Sequence, residues 1–231
     1  MHSGNFKLKC TLIVAAAGSG KRMGLSFPKQ FLKYKGKPLF INVLEVGENS
    51  SLVKDIIVVT KEELIDEVLK LCEFYKLKKI KKVIKGGEDR QSSIYNALKY
   101  CSKDSIIAVQ DGVRPFFKES YLEKTLEELK SNKEIVGAII GVPVKDTVKR
   151  INRNNLIEET PSRETLYLAQ TPQVFKGEIL INSYEKALKD NFLGTDDSSL
   201  VERYYKNIKI IQGDYSNIKI TTVEDLKFLD L

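Results

Sequence analysis

Residues 12–30 of the 231-residue chain read LIVAAAGSGKRMGLSFPKQ. The apolar run at the start predicts a buried β-strand, and Gly18 and Gly20 predict a tight turn where that strand ends. The cations Lys21, Arg22 and Lys29 follow the turn. Glycines let a ligand approach the backbone, free N–H groups point at its oxygens, and cations offset its charge. The stretch therefore predicts a loop at a strand end that binds a polyphosphate.

Downstream of this loop, short apolar runs alternate with amphipathic stretches. The predicted strands span residues 10–17, 55–60, 80–84, 106–109, 136–144, 208–212 and 218–221. The predicted helices span residues 39–48, 62–75, 91–101, 176–189 and 198–205, with another around residues 122–130 and a last one through Leu226. This alternation is typical of a parallel sheet with helices on both faces. We therefore predict an α/β fold, Rossmann-like and doubly wound around a mostly parallel sheet, as a single domain over residues 1–231.

The alternation breaks between residues 145 and 173. Short alternating runs at residues 147–150, 156–159 and 166–170 flank a polar turn at residues 152–155. This pattern predicts a protruding hairpin-like arm rather than another strand–helix unit. Such an arm either covers the site or pairs with a second subunit.

Polar, glycine-containing turns follow several of the predicted strands. They lie at residues 18–21, 86–90 and 111–114. In doubly wound sheets, ligands bind beyond the carboxyl ends of the strands. The shared position of the turns therefore predicts that they line one site.

The composition narrows the possible chemistry. The only histidine is His2, so mechanisms that need a histidine base or a histidine-rich zinc site are excluded. Cys10, Cys72 and Cys101 lie far apart without C-x-x-C spacing, which predicts reduced thiols. The longest uninterrupted apolar run, residues 12–17, is too short for a bilayer span or a signal-peptide core, so we expect a cytoplasmic protein with no membrane partner.

Two alternatives come from charge and fold class. The net charge of +7 suggests nucleic-acid binding as one alternative. The lysines are dispersed among acidic residues without interleaved aromatics, so we expect no nucleic-acid partner. A nicotinamide-dependent oxidoreductase would need G-x-G-x-x-G and an acid after the second strand. Met23 occupies the third glycine's place, and the second strand ends at Val59, Thr60 and Lys61. The loop also lacks the G-x-x-x-x-G-K-[ST] pattern of NTPases.

Further motifs follow the glycine loop along most of the chain. They are GGEDRQSS at residues 86–93, DGVRP at 111–115, PVKDTVKR at 143–150, QTPQVF at 170–175, TDDSSLVE at 195–202 and NIKITT at 217–222. Together with the loop, they resemble the signature of the 2-C-methyl-D-erythritol 4-phosphate cytidylyltransferase family. The resemblance implies a nucleotidyltransferase of isoprenoid precursor biosynthesis, which joins CTP to that polyol phosphate and releases pyrophosphate.

The chemistry of such a reaction agrees with the residues present. The nucleophile is a phosphate oxygen that is already anionic, so catalysis reduces to alignment and charge stabilisation without a general base. The resemblance implies that Arg22 and Lys29 stabilise the pentacoordinate α-phosphoryl group. It also implies that Arg163 and Lys219 position the incoming phosphate.

The resemblance also implies a set of CTP-binding residues. They are Ala16, Ala17, Gly18, Ser19, Gly20, Lys21, Gly87, Glu88, Ser93 and Gly112. Cytosine recognition is expected from the backbone of Ala16, Ala17 and Gly87, with Ser93 as a side-chain partner. From the sequence alone, Ser93 is equally an N-terminal helix cap, and both roles can hold together.

A second set is implied for the polyol phosphate. Asp111 and Arg114 are expected to bind its hydroxyl and phosphate groups, and Thr147, Thr171 and Thr195 match the family's hydroxyl contacts. From the residues alone, Asp111 and Arg114 are also consistent with a pair that only closes a turn.

The resemblance implies a cofactor and an assembly as well. Mg²⁺ is expected to be held mainly through the CTP phosphates, without a metal site built by the protein. A homodimer through the arm at residues 145–173 is expected, with Arg163 reaching the neighbouring subunit's site. Ribitol 5-phosphate cytidylyltransferases share several of these motifs and are the nearest alternative, although TDDSSLVE favours the methylerythritol family.

Overall fold

The computed structural model describes residues 8–18, 20, 23 and 27–229 of the chain. Three predicted site residues, Ser19, Lys21 and Arg22, lie outside the described residues. The strands are β1 Cys10–Ala15, β2 Lys33–Tyr34, β3 Lys37–Pro38, β4 Val53–Thr60, β5 Ile80–Lys85, β6 Ile106–Asp111, β7 Gly137–Pro143, β8 Arg150–Ile151, β9 Ile157–Glu159, β10 Tyr167–Lys176 and β11 Ile208–Gln212. The α-helices are α1 Leu39–Asn49, α2 Ile65–Phe74, α3 Arg90–Leu98, α4 Glu119–Ser131, α5 Gly177–Lys189 and α6 Asp197–Tyr204.

The central sheet has seven strands in the order β11-β7-β10-β6-β1-β4-β5. β1 lies near its middle and pairs in parallel with both β4 and β6. Successive β1 residues point to opposite faces, so Leu12 and Val14 enter one buried cluster while Ile13 enters another. Helices α1, α2 and α4 cover the first face, and α3, α5 and α6 cover the second. The predicted doubly wound, mostly parallel sheet is confirmed.

β10 is the strand of the central sheet whose length and direction the sequence pattern did not predict; the short strands β2 and β3 of a separate pair were also missed. It runs antiparallel between β6 and β7, in the interior of the sheet. The predicted short run ended at Gln170, two residues before Pro172, and a proline normally interrupts strand pairing. In the structure the chain passes Thr171–Pro172 through an irregularity in register between Ala169 and Gln173, and pairing then resumes to Lys176. The arm is therefore shorter than residues 145–173.

The rest of that segment does form a hairpin. β8 and β9 pair with each other in a separate antiparallel sheet, and all their residues are exposed. Asn155 adopts a left-handed conformation with φ of 63° in the turn between them. The large side chains of Ile151, Leu156 and Ile157 are more than half exposed.

Two elements predicted near the C-terminus differ in the structure: a predicted strand does not form, and the last helix is not an α-helix. Residues 218–221 form no strand, because Ile220 donates its N–H to the Val113 carbonyl at 2.9 Å and packs in a small separate cluster. The last helix is a 3-10 helix, Val223–Phe228. Among the described residues, no helix is long and apolar enough to cross a membrane.

Candidate active site

A cleft of about 510 Å³ opens at the carboxyl ends of β1, β4, β5 and β6. The glycine loop, the turn after β5 and the turn after β6 all contribute to it, so the structure brings the predicted turns together. The described lining residues are Ala15, Ala16, Ala17, Gly18, Gly20, Lys29, Gln30, Lys61, Gly87, Glu88, Asp89, Arg90, Ser93, Asp111, Val113, Lys219 and Thr221.

The glycine loop packs against Lys29. Gly20 adopts φ of +70°, and a Cβ there would lie 3.3 Å from the Lys29 backbone nitrogen. A Cβ on Gly18 would lie 3.9 Å from Lys29 Cε, so the lysine stem runs along the loop. Lys29 is only 7% exposed and begins the 3-10 helix Lys29–Phe31. Its charge is therefore largely shielded from solvent, and electrostatic interactions are stronger in such a buried position than in water.

Gln30 is a lining residue that the sequence prediction missed. Its side chain is buried, and Nε2 donates to the Ala16 carbonyl at 2.6 Å. The Ala16 N–H donates to the Val59 carbonyl at 2.7 Å. The Ala16 N–H is therefore bonded to β4, and the Ala16 carbonyl also accepts from the Thr60 hydroxyl at 3.5 Å. The Pro-Lys-Gln corner was the available signal.

Ser93 supports the turn before α3. Its hydroxyl accepts from the Gly87 N–H at 2.9 Å and donates to the Asp89 carbonyl at 2.7 Å. The interpretation of Ser93 as the helix cap is wrong, because the N-cap is Asp89, whose carboxylate accepts from the Ser92 N–H. Hydrogen bonds from Ser92 hold the pKa of Asp89 below its usual value, although partial burial opposes them.

The two glycines before Ser93 are required by close packing. A Cβ on Gly87 would lie 2.3 Å from Ser92 Oγ, and one on Gly86 would lie 2.8 Å from Ala17 Cβ. The turn can therefore approach the end of β1 only without side chains. This approach brings the start of α3 to the edge of the cleft.

Asp111, the last residue of β6, lies among three cations. Oδ1 is 3.4 Å from Arg90 Nε, and Oδ2 is 2.8 Å from Lys219 Nζ and 3.5 Å from Arg114 Nε. Burial raises the pKa of Asp111, but Arg90, Lys219 and Arg114 outweigh it and hold the pKa well below its usual value. Asp111 is therefore an anion that fixes the positions of three positive groups.

Arg114 lies beneath this carboxylate and is not among the described residues that line the cleft. Nη1 donates to the Asn217 carbonyl at 2.6 Å, which ties the turn after β6 to the segment that carries Lys219. Burial lowers the pKa of Arg114 and the nearby Asp111 raises it, with a net lowering. Its observed contacts are those of a residue that closes the turn.

Arg90 is the most important residue that the sequence prediction missed. Besides approaching Asp111, it donates from Nη2 to Asp197 Oδ2 at 2.6 Å. Burial disfavours its charge, but Asp197 and Asp111 raise the pKa of Arg90 well above its usual value. Its position within GGEDRQSS was a signal for proximity to the site, whereas Asp197 is far away in sequence.

A protein-family model described as "IspD: 2-C-methyl-D-erythritol 4-phosphate cytidylyltransferase" matches residues 10–230. The chain belongs to the 2-C-methyl-D-erythritol 4-phosphate cytidylyltransferase family. A relative with that name from Fusobacterium nucleatum is 48% identical, over 99% of this chain and 100% of the relative. Another from Bacillus licheniformis is 43% identical, over 93% of this chain and 91% of the relative.

Solved structures agree with this membership. The 4-diphosphocytidyl-2C-methyl-D-erythritol synthase of Anaerococcus prevotii is similar with a TM-score of 0.84 and 32% identity, covering 97% of this chain and 95% of that one. The Francisella tularensis 2-C-methyl-D-erythritol 4-phosphate cytidylyltransferase has a TM-score of 0.80 and 29% identity, covering 96% and 98%. The matches support the methylerythritol family and not the ribitol phosphate alternative.

Other site residues that the family resemblance implied are not among the described residues that line the cleft; Thr171 and Gly112 contact its neighbourhood through backbone hydrogen bonds. The buried Thr171 hydroxyl accepts from the Asp111 N–H at 3.1 Å, and the Gly112 N–H donates to the Ala15 carbonyl at 2.9 Å. Thr147, Thr195 and Arg163 are exposed and are not among the described residues that line the cleft.

The acidic residues at the cleft limit how a divalent ion can bind. The described lining carboxylates are Glu88, Asp89 and Asp111. Asp111 is paired with cations, Asp89 is exposed but caps α3, and Glu88 is exposed. Among the described residues, no three histidine, cysteine or acidic side chains are grouped for metal binding. These carboxylates fit a divalent ion that is bound mainly through the phosphates of a ligand.

Proposed function

We propose that this cleft transfers the cytidylyl group of CTP to 2-C-methyl-D-erythritol 4-phosphate and releases pyrophosphate. One observation carries the proposal. Lys29 and Lys219, from opposite ends of the chain, line the same cleft as the glycine loop and the paired glycines after β5. A shielded cation beside a glycine-rich loop suits a triphosphate, and the more exposed Lys219 in the same cleft suits the acceptor phosphate.

The reaction needs alignment more than proton transfer. An oxygen of the polyol phosphate attacks the α-phosphorus, and the bond from that phosphorus to the pyrophosphate oxygen breaks. Lys29 stabilises the charge on the α-phosphoryl oxygens, and the buried position strengthens its effect. Arg22 is assigned the same role, which remains a prediction from the sequence.

Lys219 is well located to receive the acceptor phosphate. Its Nζ lies 2.8 Å from Asp111 Oδ2, and its side chain is 35% exposed toward the cleft. A phosphate that binds here shares Lys219 with Asp111, whose carboxylate can then accept hydrogen bonds from the polyol hydroxyls. Direct binding by Arg114, Thr147, Thr171 and Thr195 also remains a prediction.

Mg²⁺ is part of the proposal. When bound, it neutralises phosphate charge and orients the triphosphate for displacement. Glu88 is an exposed lining carboxylate that could contribute to holding the ion, and the chain supplies backbone amides and Lys29 for the remaining phosphate oxygens. A cytoplasmic location also belongs to the proposal, because CTP is supplied there.

A homodimer through the hairpin arm is the proposed assembly. Arg163 lies on the 3-10 helix Arg163–Thr165 and donates from Nη1 to the Lys145 carbonyl at 3.0 Å, outside its own cleft. Exposed apolar side chains accompany it, with Leu156 at 62% and Ile157 at 64% exposure. Pairing would cover them and bring Arg163 to the partner's acceptor site. Ile157→Asp should then shift the mass in light scattering to that of a monomer, and a monomeric wild type would refute the assembly.

The decisive experiment is pyrophosphate release with every combination of nucleoside triphosphate and polyol phosphate. CTP with 2-C-methyl-D-erythritol 4-phosphate should give the highest kcat/KM. Faster turnover of ribitol 5-phosphate would refute the choice of acceptor. A preference for another nucleotide would refute the assignment of the base.

A further inference from the structure

We propose that Asp197 and Arg90 form a positioning pair for the polyol phosphate. In this proposal Asp197 anchors Arg90 from behind the cleft, and Arg90 holds the Asp111 carboxylate in place while substrate is bound. The inference rests on the proposed function, because it concerns the acceptor half of the same site. Neither Arg90 nor Asp197 was among the site residues that the family resemblance implied.

The anchor is a fully buried carboxylate. Asp197 is the first residue of α6, and its side chain is 0% exposed. Oδ1 accepts from the Tyr184 hydroxyl, and Oδ2 accepts from Arg90 Nη2 at 2.6 Å. An unpaired buried carboxylate is costly, so this arrangement fixes Asp197 and, through it, the guanidinium of Arg90.

The anchored arginine reaches the cleft from the second face of the sheet. Arg90 is the first residue of α3, its side chain is 28% exposed, and it is one of the residues that line the cleft. Nε faces Asp111 Oδ1 at 3.4 Å while Nη2 is held by Asp197. One guanidinium therefore joins α6, α3 and the end of β6.

The two oxygens of Asp111 face different cations. Oδ2 is shared by Lys219 at 2.8 Å and Arg114 at 3.5 Å, whereas Oδ1 faces Arg90. When Lys219 engages the incoming phosphate, its hold on Oδ2 weakens. Arg90 then keeps the carboxylate from rotating, so its contribution should be largest in the acceptor-bound enzyme.

This role differs from that of a pair that only stabilises the fold. A structural pair would lower the melting temperature without separating the two substrates. A positioning pair raises KM for the polyol phosphate and leaves KM for CTP nearly unchanged. Because Asp197 is not among the described lining residues, its effect must pass through Arg90.

A double-mutant cycle tests this dependence. Asp197→Asn should raise KM for 2-C-methyl-D-erythritol 4-phosphate at least about tenfold, the usual scale for a lost hydrogen bond between charged groups. KM for CTP should change less than about twofold. In the Arg90→Gln background, Asp197→Asn should change KM for the polyol phosphate by less than about twofold, because no anchored arginine remains.

Asp190→Asn is the matched control. Asp190 follows α5, accepts from the Tyr204 hydroxyl at 2.6 Å and pairs with Arg203 on the exposed surface. It should leave both KM values unchanged. Additive effects in the double mutant, or equal changes for both substrates, would overturn the positioning role.

Arg90→Lys keeps the test decisive if Asp197→Asn does not fold. Lysine retains the charge but cannot face Asp197 and Asp111 at once, so KM for the polyol phosphate should rise while KM for CTP holds. An unchanged KM for the polyol phosphate would refute the inference. Absence of turnover in the wild type would instead refute the proposed function, so the two failures are distinguishable.

Discussion

Asp111→Asn removes one negative charge from among Arg90, Lys219 and Arg114 while preserving the size of the side chain. Removing one partner of a buried ion pair typically costs about 3–5 kcal/mol, because the remaining charge is left uncompensated. The lower end of that range applies here, because Arg90 retains its ion pair with Asp197 and the Lys219 side chain is 35% exposed. We therefore expect a loss of about 3 kcal/mol.

That loss translates into a measurable shift in melting temperature. At about 2.1 cal/mol/K per residue, the 231 residues have an unfolding entropy near the midpoint of about 0.49 kcal/mol/K. A loss of about 3 kcal/mol then lowers the midpoint by about 6 °C at pH 7. Differential scanning calorimetry measures the shift. Asp214→Asn, which breaks a half-exposed pair with Lys118 at 2.9 Å, is the control and should cost about 2 °C or less.

The pH dependence of this difference in melting temperature tests whether the charge of Asp111 causes it. The folded-state pKa of Asp111 is depressed, so its contribution is fully present above the unfolded pKa of about 3.9 and falls as pH drops toward the folded value. At pH 3 the unfolded carboxylate has gained about 1.3 kcal/mol by protonation, which narrows the gap between wild type and variant by about 3 °C. A gap below about 2 °C at pH 7, or one that widens in acid, would refute the reasoning.

Other substitutions and labels probe the nucleotide half of the site and the core. Lys29→Ala should lower kcat about 10²–10³-fold with little change in KM for CTP, measured by pyrophosphate release; a change in KM alone would mean that Lys29 only binds. Gly20→Ala, at φ of +70° and 3.3 Å from the Lys29 nitrogen, should lose activity and about 1–2 kcal/mol of stability, whereas Gly36→Ala, at φ of +76° in open space, should lose stability alone. Burial raises the pKa of Cys10 to about 12 and of Cys72 to about 11, so iodoacetamide at pH 7.5 should alkylate them only after unfolding in urea, and modification of the native protein, read by mass spectrometry, would contradict this.

The parallel part of the fold was predictable because its signals are local. From Leu12 onward β1 is an uninterrupted apolar run, residues on both of its faces are buried, and the glycine turn after it marks where the strand ends. Local patterns also predicted β4 to β7 and helices α1 to α4, whereas the two-residue strands β2 and β3 were missed. β10 was missed because its pairing partners, β6 and β7, are distant in sequence and Pro172 interrupts its pattern. No local signal reports that the chain resumes pairing after such an interruption.

The residues of the cleft also divide into those with a local sequence signal and those without one. Lys29 and the glycine turns were found from residue types at strand ends. The Arg90–Asp197 pair joins residues that are 107 positions apart, so only the folded chain reveals it. The cap of α3 was misassigned because Asp89, Ser92 and Ser93 all have side chains suited to capping. Geometry selects Asp89 and leaves Ser93 to bridge the turn.

The reversed direction of β10 has a topological consequence. Because β10 opposes its neighbours, β7 leaves the sheet and β10 enters it at the same edge, where Pro143 pairs with Tyr167. Everything inserted between them starts and ends at the edge of the sheet on which the cleft opens. The length and sequence of that insertion can therefore change without shifting any strand of the sheet.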